Sequence, residues 1–333
     1  MFEHKMESAP SSSPIKLSVI IASHDRREYV INAVKSVLQQ EYDRDSLEII
    51  VVKNYEDQKI DEFLREQGVK NIISHEKYLG GKHAAGICVS SGDVISFLDD
   101  DDLFLPNKLK HASQLFKLYK FSFYHNDQSF TLSNSVQKKM DKKYKLNIID
   151  LNSNDAREKL KKAINLTPHY NCSSISISRD IAIAALNCIK KITADFDTFW
   201  FLFSVDQGKT ILVDNKVLTY YNRGSGGISR NTSKSRSLNY SIRALQSTRA
   251  FAEMFRNNYS NEIAKQLVRS WEIKYRIFDD NPHTNEIIKL TVESLRSFNK
   301  IYARKWLLVE TLLSTVYIFN PSISYSLYTA LYK

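Results

Sequence analysis

The chain has 333 residues, of which 43% are hydrophobic and 25% are charged, as in ordinary globular proteins. These values exclude a disordered, collagen-like or disulfide-scaffold protein, and the chain is long enough to bury a sizeable core. Its formal net charge of +10 favours anionic partners such as phosphate groups, nucleic acid or an acidic membrane surface. The three cysteines lack CxxC spacing and therefore predict neither a disulfide framework nor a zinc site.

The two ends of the chain differ in character. Residues 1–14 are polar and rich in serine, so we expect a flexible tail without a signal peptide, and a cytoplasmic protein. Trp306–Phe319 is apolar and carries one charge, at Glu310, but it is shorter than the ~20 residues that cross a bilayer. Two interpretations stay open for this segment. It is either a core helix or an interfacial helix in the headgroup region, the second supported by the preceding Arg304 and Lys305.

Strand-like and helical patterns alternate along the first 120 residues. The predicted strands are Leu17–Ala22, Leu47–Val52, Asn71–Ser74 and Val94–Leu98. The predicted helices are Tyr29–Gln39, Lys82–Ser91 and Pro106–Tyr119. This alternation predicts an α/β fold with βαβ units and a mostly parallel sheet. Ligands of such sheets bind at the carboxyl ends of the strands, so we expect functional residues just after Ala22, Val52 and Leu98.

Four consecutive aspartates, Asp99 to Asp102, follow the strand that ends at Leu98. Their mutual repulsion is tolerable only where a cation or solvent neutralises them. In an extended segment Asp99 and Asp101 project to the same side and can share one Mg²⁺ or Mn²⁺ ion. The alternative interpretation is an acidic N-terminus for the helix at Pro106, where carboxylates complement the helix dipole.

Several stretches together resemble a known family. They are Leu17–Arg27 (LSVIIASHDRR), Leu47–Val52, Leu79–Ala85 (LGGKHAA), the FLDDDD run, Asn171–Arg179 (NCSSISISR), Ala194–Phe203 (ADFDTFWFLF) and Val217–Ser229 (VLTYYNRGSGGIS). The set resembles the GT-A glycosyltransferases of the large inverting family that includes polysaccharide and lipid-linked sugar transferases. The resemblance covers about residues 15 to 230. It implies a Rossmann-like nucleotide-sugar domain over residues 15–232, followed by a helical region over 233–333.

The resemblance also implies a metal-dependent hexosyltransferase. A divalent cation, Mn²⁺ or Mg²⁺, would stabilise the leaving diphosphate. Asp101 and Asp99 are the implied metal ligands, and Asp99 contacts the ribose or shares the metal. Lys82 and His83 follow a Gly-Gly pair, where a tight backbone would bring them to the phosphates, although an exposed turn is the plainer interpretation. The whole implied donor-binding set is Ala22, Ser23, Asp25, Arg27, Lys53, Lys82, His83, Asp99, Asp100 and Arg223, with Asp100 serving mainly as a spacer.

Inverting transfer needs a base that takes the proton of the acceptor hydroxyl. In the family this base belongs to an acidic pair at the start of an aromatic-rich helix, and the pair here is Ala194-Asp195. The resemblance therefore implies that Asp195 is the catalytic base, with Asp197 as the fallback. The structural alternative is that either aspartate simply caps the helix.

The chain departs from the family pattern at two places that concern the donor. Lys53-Asn54 stands where relatives have acidic residues, and lysine cannot accept a hydrogen bond from a uracil N3–H, so the nucleotide base stays open. The loop near Gly224 contains Arg223 but no histidine, and we expect Arg223 to neutralise the diphosphate instead.

The remaining sequence bears on the acceptor. Asn134–Lys162 has eight lysines and one arginine against four acids, which favours either a solvated surface or a basic rim for a phosphorylated acceptor. Helical patterns cover Leu238–Phe255, Asn261–Phe278 and Asn285–Tyr302. The expected partners are a nucleoside-diphosphate sugar, a glycan or polyprenyl-linked acceptor and the cytoplasmic face of an anionic membrane, but not nucleic acid. The alternative function is a non-catalytic nucleotide-sugar-binding protein of the same fold.

Overall fold

The computed structural model describes residues 14–132, 135–137, 143–222, 233–296 and 304–332, and within these ranges one mixed sheet of ten strands forms the centre. The strands are β1 (Leu17–Ser23), β2 (Leu47–Lys53), β3 (Lys70–Ile73), β4 (Val94–Asp99), β5 (Leu103–Phe104), β6 (Phe123–Leu132), β7 (Ser135–Gln137), β8 (Leu146–Ile149), β9 (Ile175–Ser178) and β10 (Ile211–Tyr221). The helices of the first half are α1 (Arg27–Leu38), α2 (Gln58–Glu66), α3 (Leu79–Val89), α4 (Lys108–Leu118), α5 (Ala156–Ile164), α6 (Arg179–Ala184), α7 (Leu186–Ile189) and α8 (Phe196–Asp206). The C-terminal helices are α9 (Lys234–Met254), α10 (Asn258–Phe278), α11 (Thr284–Arg296), α12 (Arg304–Phe319) and α13 (Pro321–Tyr332).

The sheet has the order β3-β2-β1-β4-β9-β6-β10-β5. The first four strands are parallel, and β6 and β10 are also parallel to each other. Strand β9 runs antiparallel between β4 and β6, while β7 pairs with β6 and β8 with β10. The predicted α/β class is confirmed. The register places Ser23 beside Lys53 and Ala22 beside Asp99, so three strands end at one edge.

Helices cover both faces of the parallel strands, which explains why these strands are continuous Val/Ile/Leu runs. On one face Val19, Ile21 and Val51 pack in a core with Val34 of α1 and Leu64 of α2. On the other face the core that contains Ile20 and Phe97 also holds the aromatic residues of α8. The sheet is therefore fixed from both sides, and its carboxyl edge is held in place.

The C-terminal helices belong to the same packing. Phe251 of α9 and Leu267 of α10 lie in the core that includes Phe199 of α8. The last turns of α10 and helices α11 to α13 share a third, separate core. The predicted domain boundary at residue 232 lies outside the described residues and stays a prediction, as does the flexible tail up to residue 13. Among the described helices none combines the length and the hydropathy that crossing a bilayer requires.

The predicted starts of α3 and α4 need correction. Helix α3 begins at Leu79, so Gly80 and Gly81 lie inside its first turn and do not form a loop. A Cβ atom on Gly80 would lie 2.2 Å from the carbonyl oxygen of Ile189, so this glycine permits close packing rather than phosphate binding. Helix α4 begins at Lys108, two residues after the predicted start. The apolar segment expected to end at Phe319 does end there as helix α12, and Pro321 opens helix α13, where its missing N–H costs nothing.

Candidate active site

The aspartate run forms a turn at the carboxyl end of β4. Asp99 closes the strand, and the backbone N–H of Asp102 donates to the Asp99 carbonyl at 3.1 Å. The extended geometry predicted for Asp99 and Asp101 is therefore replaced by a turn. Asp99 is half-buried at the edge of the sheet, whereas Asp100 and Asp102 are buried beneath it. The spacer role expected for Asp100 does not fit this burial.

Arg26, which the sequence analysis did not select, pairs with this run. Its guanidinium donates to Oδ2 of Asp101 at 2.7 Å and to Oδ1 of Asp100. The predicted neighbour, Arg27, turns away, because its guanidinium lies 4.5 Å from the centre of the Tyr55 ring and 3.6 Å from Asp57. Arg26, and not the predicted donor contact Arg27, therefore lies against the aspartate run.

The run carries more negative charge than Arg26 neutralises. Burial, reinforced by the charge of Asp101, raises the pKa of Asp99 to about 7. Burial also raises the pKa of Asp100 to about 6, although Arg26 opposes this shift. Burial and the charge of Asp99 raise the pKa of Asp102 well above its ordinary value. One carboxylate oxygen each of Asp100 and Asp102 has no hydrogen-bond partner among the described residues.

These features fit a hard divalent cation. Aspartate oxygens are the ligands that Mg²⁺ and Mn²⁺ prefer, and a cation would relieve the repulsion that raises these pKa values. Within the part of the chain that is described, no cluster of three or more metal-ligating side chains occurs. A cation held by Asp99 and Asp101 would complete its coordination with water or with oxygens of a bound ligand.

Two predicted donor contacts lie below the surface. The Lys53 ammonium is fully buried, 2.8 Å from Oδ1 of Asp61, and donates to the Tyr55 carbonyl. His83 is stacked on Phe97 at a ring distance of 4.4 Å, and burial lowers its pKa to about 3. The structure thus places an ion pair and a neutral core histidine where the sequence analysis expected donor contacts.

Of the other predicted donor residues, Ala22, Ser23 and Asp25 lie at the carboxyl end of β1. Asp25 is exposed at a left-handed φ of 59° and exchanges hydrogen bonds of 3.0 and 2.9 Å with Asn54. Ser23 shares a 3.0 Å hydrogen bond with the Tyr55 hydroxyl, and Ala22 pairs with Asp99. Lys82 is buried, bound to the Glu76 carbonyl and to His24 at 3.0 Å. Arg223 lies outside the described residues.

A short 3-10 turn, Cys172–Ser174, joins the aspartate run to the predicted base helix. The Asp99 N–H donates to the Ser173 hydroxyl at 3.0 Å. Just before this turn, the Asn171 N–H donates to Oδ2 of Asp197 at 2.7 Å, with Asn171 at a φ of 70°. The sequence analysis named Asn171–Arg179 only as part of the resemblance, so these contacts were missed.

Asp195 lies immediately before α8 in a left-handed conformation, with φ of 57°. Its side chain makes no capping hydrogen bond to the helix and instead accepts one of 2.7 Å from the Tyr240 hydroxyl of α9. Burial raises the pKa of Asp195, while Tyr240 and Lys274 oppose that shift. Strained, half-buried carboxylates of this kind cluster at functional sites. The capping interpretation is therefore not supported for Asp195.

The base helix has further support from α9. The guanidinium of Arg243 donates to the Thr193 carbonyl at 2.7 Å, two residues before Asp195. Asp197 instead accepts from the N–H groups of Asn171 and Thr198, and burial together with Asp195 raises its pKa to about 7. Asp197 is thus tied to the backbone, whereas Asp195 is held by side chains. Neither Tyr240 nor Arg243 has a sequence motif that would have identified it.

Carboxylates lie at the carboxyl edge of the parallel strands, which is where α/β sheets bind their ligands. The chain belongs to glycosyl transferase family 2, whose sequence model matches residues 18–185.

Curated relatives match only part of the chain. A glycosyltransferase of Nostoc sp. (strain PCC 7120) is 33% identical over 109 residues, which are 31% of this chain and 33% of that protein. A glycosyltransferase of Rickettsia bellii is 34% identical over 114 residues, which are 33% of this chain and 16% of that protein. The match thus spans a third or less of each relative.

Solved structures match over most of the chain. TarS of S. aureus (residues 1–349), in complex with UDP-GlcNAc, has a TM-score of 0.59 at 13% identity and covers 91% of each chain. The mannosyltransferase PcManGT of Pyrobaculum calidifontis, with GDP-Man and Mn²⁺, has a TM-score of 0.55 at 11% identity, covering 96% of this chain and 91% of its own. At these identities the likeness shows the fold alone.

Proposed function

We propose that this protein transfers a sugar, with inversion, from a nucleoside-diphosphate donor to a hydroxyl of a glycan or polyprenyl-linked acceptor. The observation that carries the proposal is Asp195, a half-buried carboxylate at a strained backbone position whose pKa is raised by burial. Asp195 would accept the acceptor proton as the acceptor oxygen attacks the anomeric carbon. The bond from that carbon to the diphosphate breaks, and the diphosphate leaves with the electron pair.

The donor would bind at the carboxyl ends of β1, β2 and β4. Asp99 and Asp101 would hold Mn²⁺ or Mg²⁺, which neutralises the leaving diphosphate when bound. The relatives of this fold include proteins solved with UDP-GlcNAc and with GDP-Man and Mn²⁺, which supports a nucleotide-sugar donor. Asn54 and Asp25 would contact the nucleotide base in place of Lys53, because their polar atoms are open to solvent. Arg223 would contribute to diphosphate binding.

The first test measures donor binding. A thermal-shift panel of UDP, GDP, CDP, ADP and dTDP, each with and without Mn²⁺, is applied to the wild-type chain and to Asp101→Asn. A nucleotide at about 100 times its dissociation constant should stabilise the native state by ~2.7 kcal/mol. We expect one nucleotide to give a Mn²⁺-dependent shift that Asp101→Asn abolishes. No shift with any nucleotide contradicts the proposal.

A second test separates transfer from binding. A non-catalytic nucleotide-sugar-binding protein is the alternative, favoured by the alanine at position 194, where the family has an acid. Asp195→Asn should abolish product formation and leave donor affinity unchanged. The matched control is Asp180→Asn on exposed α6, which should retain activity. A wild-type chain that binds donor but forms no product with glycan or polyprenyl-phosphate acceptors favours the binding protein.

The membrane contact proposed for the C-terminal region rests on the outer face of α12. Leu308, Leu312 and Phe319 are 59%, 48% and 84% exposed and lie along one side of the helix. Glu310, the one acid of this helix, is only 3% exposed and accepts a hydrogen bond from Ser270 of α10. The helix thus buries its only carboxylate and leaves part of its apolar surface exposed.

An anionic bilayer surface fits this face. Ser241–Lys333 has thirteen Lys and Arg residues against eight Asp and Glu residues, a net charge of +5 that complements anionic lipid. The wild-type chain should float with vesicles of phosphatidylcholine and phosphatidylserine, and less with phosphatidylcholine alone. The double variant Leu308→Asn, Leu312→Asn should lose flotation, while Ile183→Asn, which changes an exposed residue of α6, should keep it. Equal flotation of both variants contradicts this contact.

A further inference from the structure

Arg26 occupies the edge of the proposed cation site. It lies at the start of α1, after β1, and its side chain is 31% exposed. Its two terminal nitrogens reach different aspartates, Asp100 and Asp101, so the guanidinium bridges two carboxylates of the run. Burial alone would lower the pKa of Arg26, but Asp100 and Asp101 raise it, so the charge is permanent.

A divalent cation on Asp101 would meet this guanidinium. The Oδ2 atom of Asp101 is the oxygen to which Arg26 donates at 2.7 Å, and only 10% of the Asp101 side chain is exposed. A second cation beside the same buried carboxylate is repelled by the guanidinium, since close charges in a poorly solvated site interact strongly. A cation at Asp101 would therefore compete with the Arg26 guanidinium for this carboxylate.

The described residues supply too few metal ligands for the cation to replace Arg26 at Asp101 without a further ligand. No group of three metal-ligating side chains occurs among them, whereas a diphosphate would add two or more oxygens. We propose that Arg26 competes with the divalent cation for Asp101, so that the cation binds tightly only together with the nucleoside diphosphate. This inference rests on the proposed function. Arg26 is then a positioning residue that couples metal binding to donor binding.

The test is Mn²⁺ binding to the full chain, measured by titration calorimetry and by the electron paramagnetic resonance of free Mn²⁺. Without nucleotide, Arg26→Gln should bind Mn²⁺ at least tenfold more tightly than the wild type. With saturating UDP or GDP, whichever gave the thermal shift, the difference between the two proteins should shrink below threefold. Arg27→Gln is the matched control, because its guanidinium lies against Tyr55, and it should behave as wild type.

Two further variants keep the result interpretable. Arg26→Lys retains the charge but cannot bridge two carboxylates, and it should show an intermediate Mn²⁺ affinity even where Arg26→Gln folds poorly. Adding Asp101→Asn to the Arg26→Gln variant should remove the tight Mn²⁺ binding that Arg26→Gln alone gains. Equal or weaker Mn²⁺ binding by Arg26→Gln and Arg26→Lys, without nucleotide, would overturn the proposal. Failure of the proposed function appears separately, as a wild-type chain that no nucleotide stabilises in the presence of Mn²⁺.

Discussion

The hydroxyl of Tyr240 donates a 2.7 Å hydrogen bond to Oδ1 of Asp195, which joins α9 directly to the proposed base. The bond stabilises the ionised carboxylate, in which form a base accepts a proton. Because this hydrogen bond opposes the burial that raises the pKa of Asp195, its loss should raise that pKa further. Helix α9 is therefore part of the proposed catalytic arrangement as well as of the core.

We expect Tyr240→Phe to lower kcat about 10- to 100-fold, since a hydrogen bond to a charged group contributes ~1.5–3 kcal/mol. Loss of activity on the acid side should also begin at a higher pH than in the wild type. The measurement is a pH profile of kcat and of kcat/KM. Tyr275→Phe on α10, whose ring contacts His283, is the control and should leave the profile unchanged. A shift of equal size in both variants would show that Tyr240 acts only through packing.

Asp197 gives a prediction about pH and stability. Its pKa is about 7 in the folded chain because of burial and Asp195, against an ordinary value of 3.8. The folded state therefore binds more protons than the unfolded state between these values, and the contribution of Asp197 to stability is lost as pH rises through 7. Asp197→Asn keeps an oxygen that accepts from the Asn171 N–H and removes the charge.

The variant should therefore gain stability relative to the wild type as pH rises, by roughly 1 to 3 kcal/mol between pH 5.5 and 8. Urea unfolding of both proteins at several pH values measures this difference. The comparison cancels the opposing contributions of buried groups such as His83, which both proteins share. A difference independent of pH contradicts the prediction. Transfer should survive in Asp197→Asn and disappear in Asp195→Asn.

Lys53 and Asn54 test which residue contacts the nucleotide base. Lys53→Met removes the partner of Asp61 and should destabilise the chain by about 1–3 kcal/mol without changing the order of nucleotide affinities. Asn54→Ala should have a small effect on stability and should weaken the preferred nucleotide. Thermal shifts with the nucleotide panel distinguish the two outcomes. A changed nucleotide order in Lys53→Met would restore the contact that the sequence suggested.

The strands and the acidic run could be predicted because both depend on local pattern. Apolar runs bounded by polar residues identify β1, β2 and β4, and the carboxyl edge of a parallel sheet follows from their connection. The choice between Arg26 and Arg27 could not be predicted. These residues are adjacent, and the backbone turn at Asp25, with φ of 59°, decides which one points to the aspartates. That turn depends on the long-range hydrogen bond to Asn54.

Contacts between residues distant in sequence could not be predicted either. Tyr240 lies 45 positions after Asp195 on a helix without a motif, and only the packing of α9 against α8 brings them together. His83 was assigned to the donor site because it follows two glycines. The helix begins earlier than predicted, and this turns the imidazole inward against Phe97. In both cases tertiary packing, which periodicity does not encode, decides the outcome.

Gly80 provides the test of that corrected helix start. If the glycine serves packing, Gly80→Ala should lower stability by about 2 kcal/mol or more, because its Cβ would lie 2.2 Å from the Ile189 carbonyl oxygen and 2.9 Å from the Phe196 ring. Gly208→Ala is the matched control. It introduces a left-handed alanine at φ of 64° with no atom within 4 Å, so it should cost only about 1 kcal/mol. Urea unfolding of both variants measures the difference. A Gly80→Ala chain that is as stable as the wild type but has lost nucleotide binding would instead place the glycine at the phosphates.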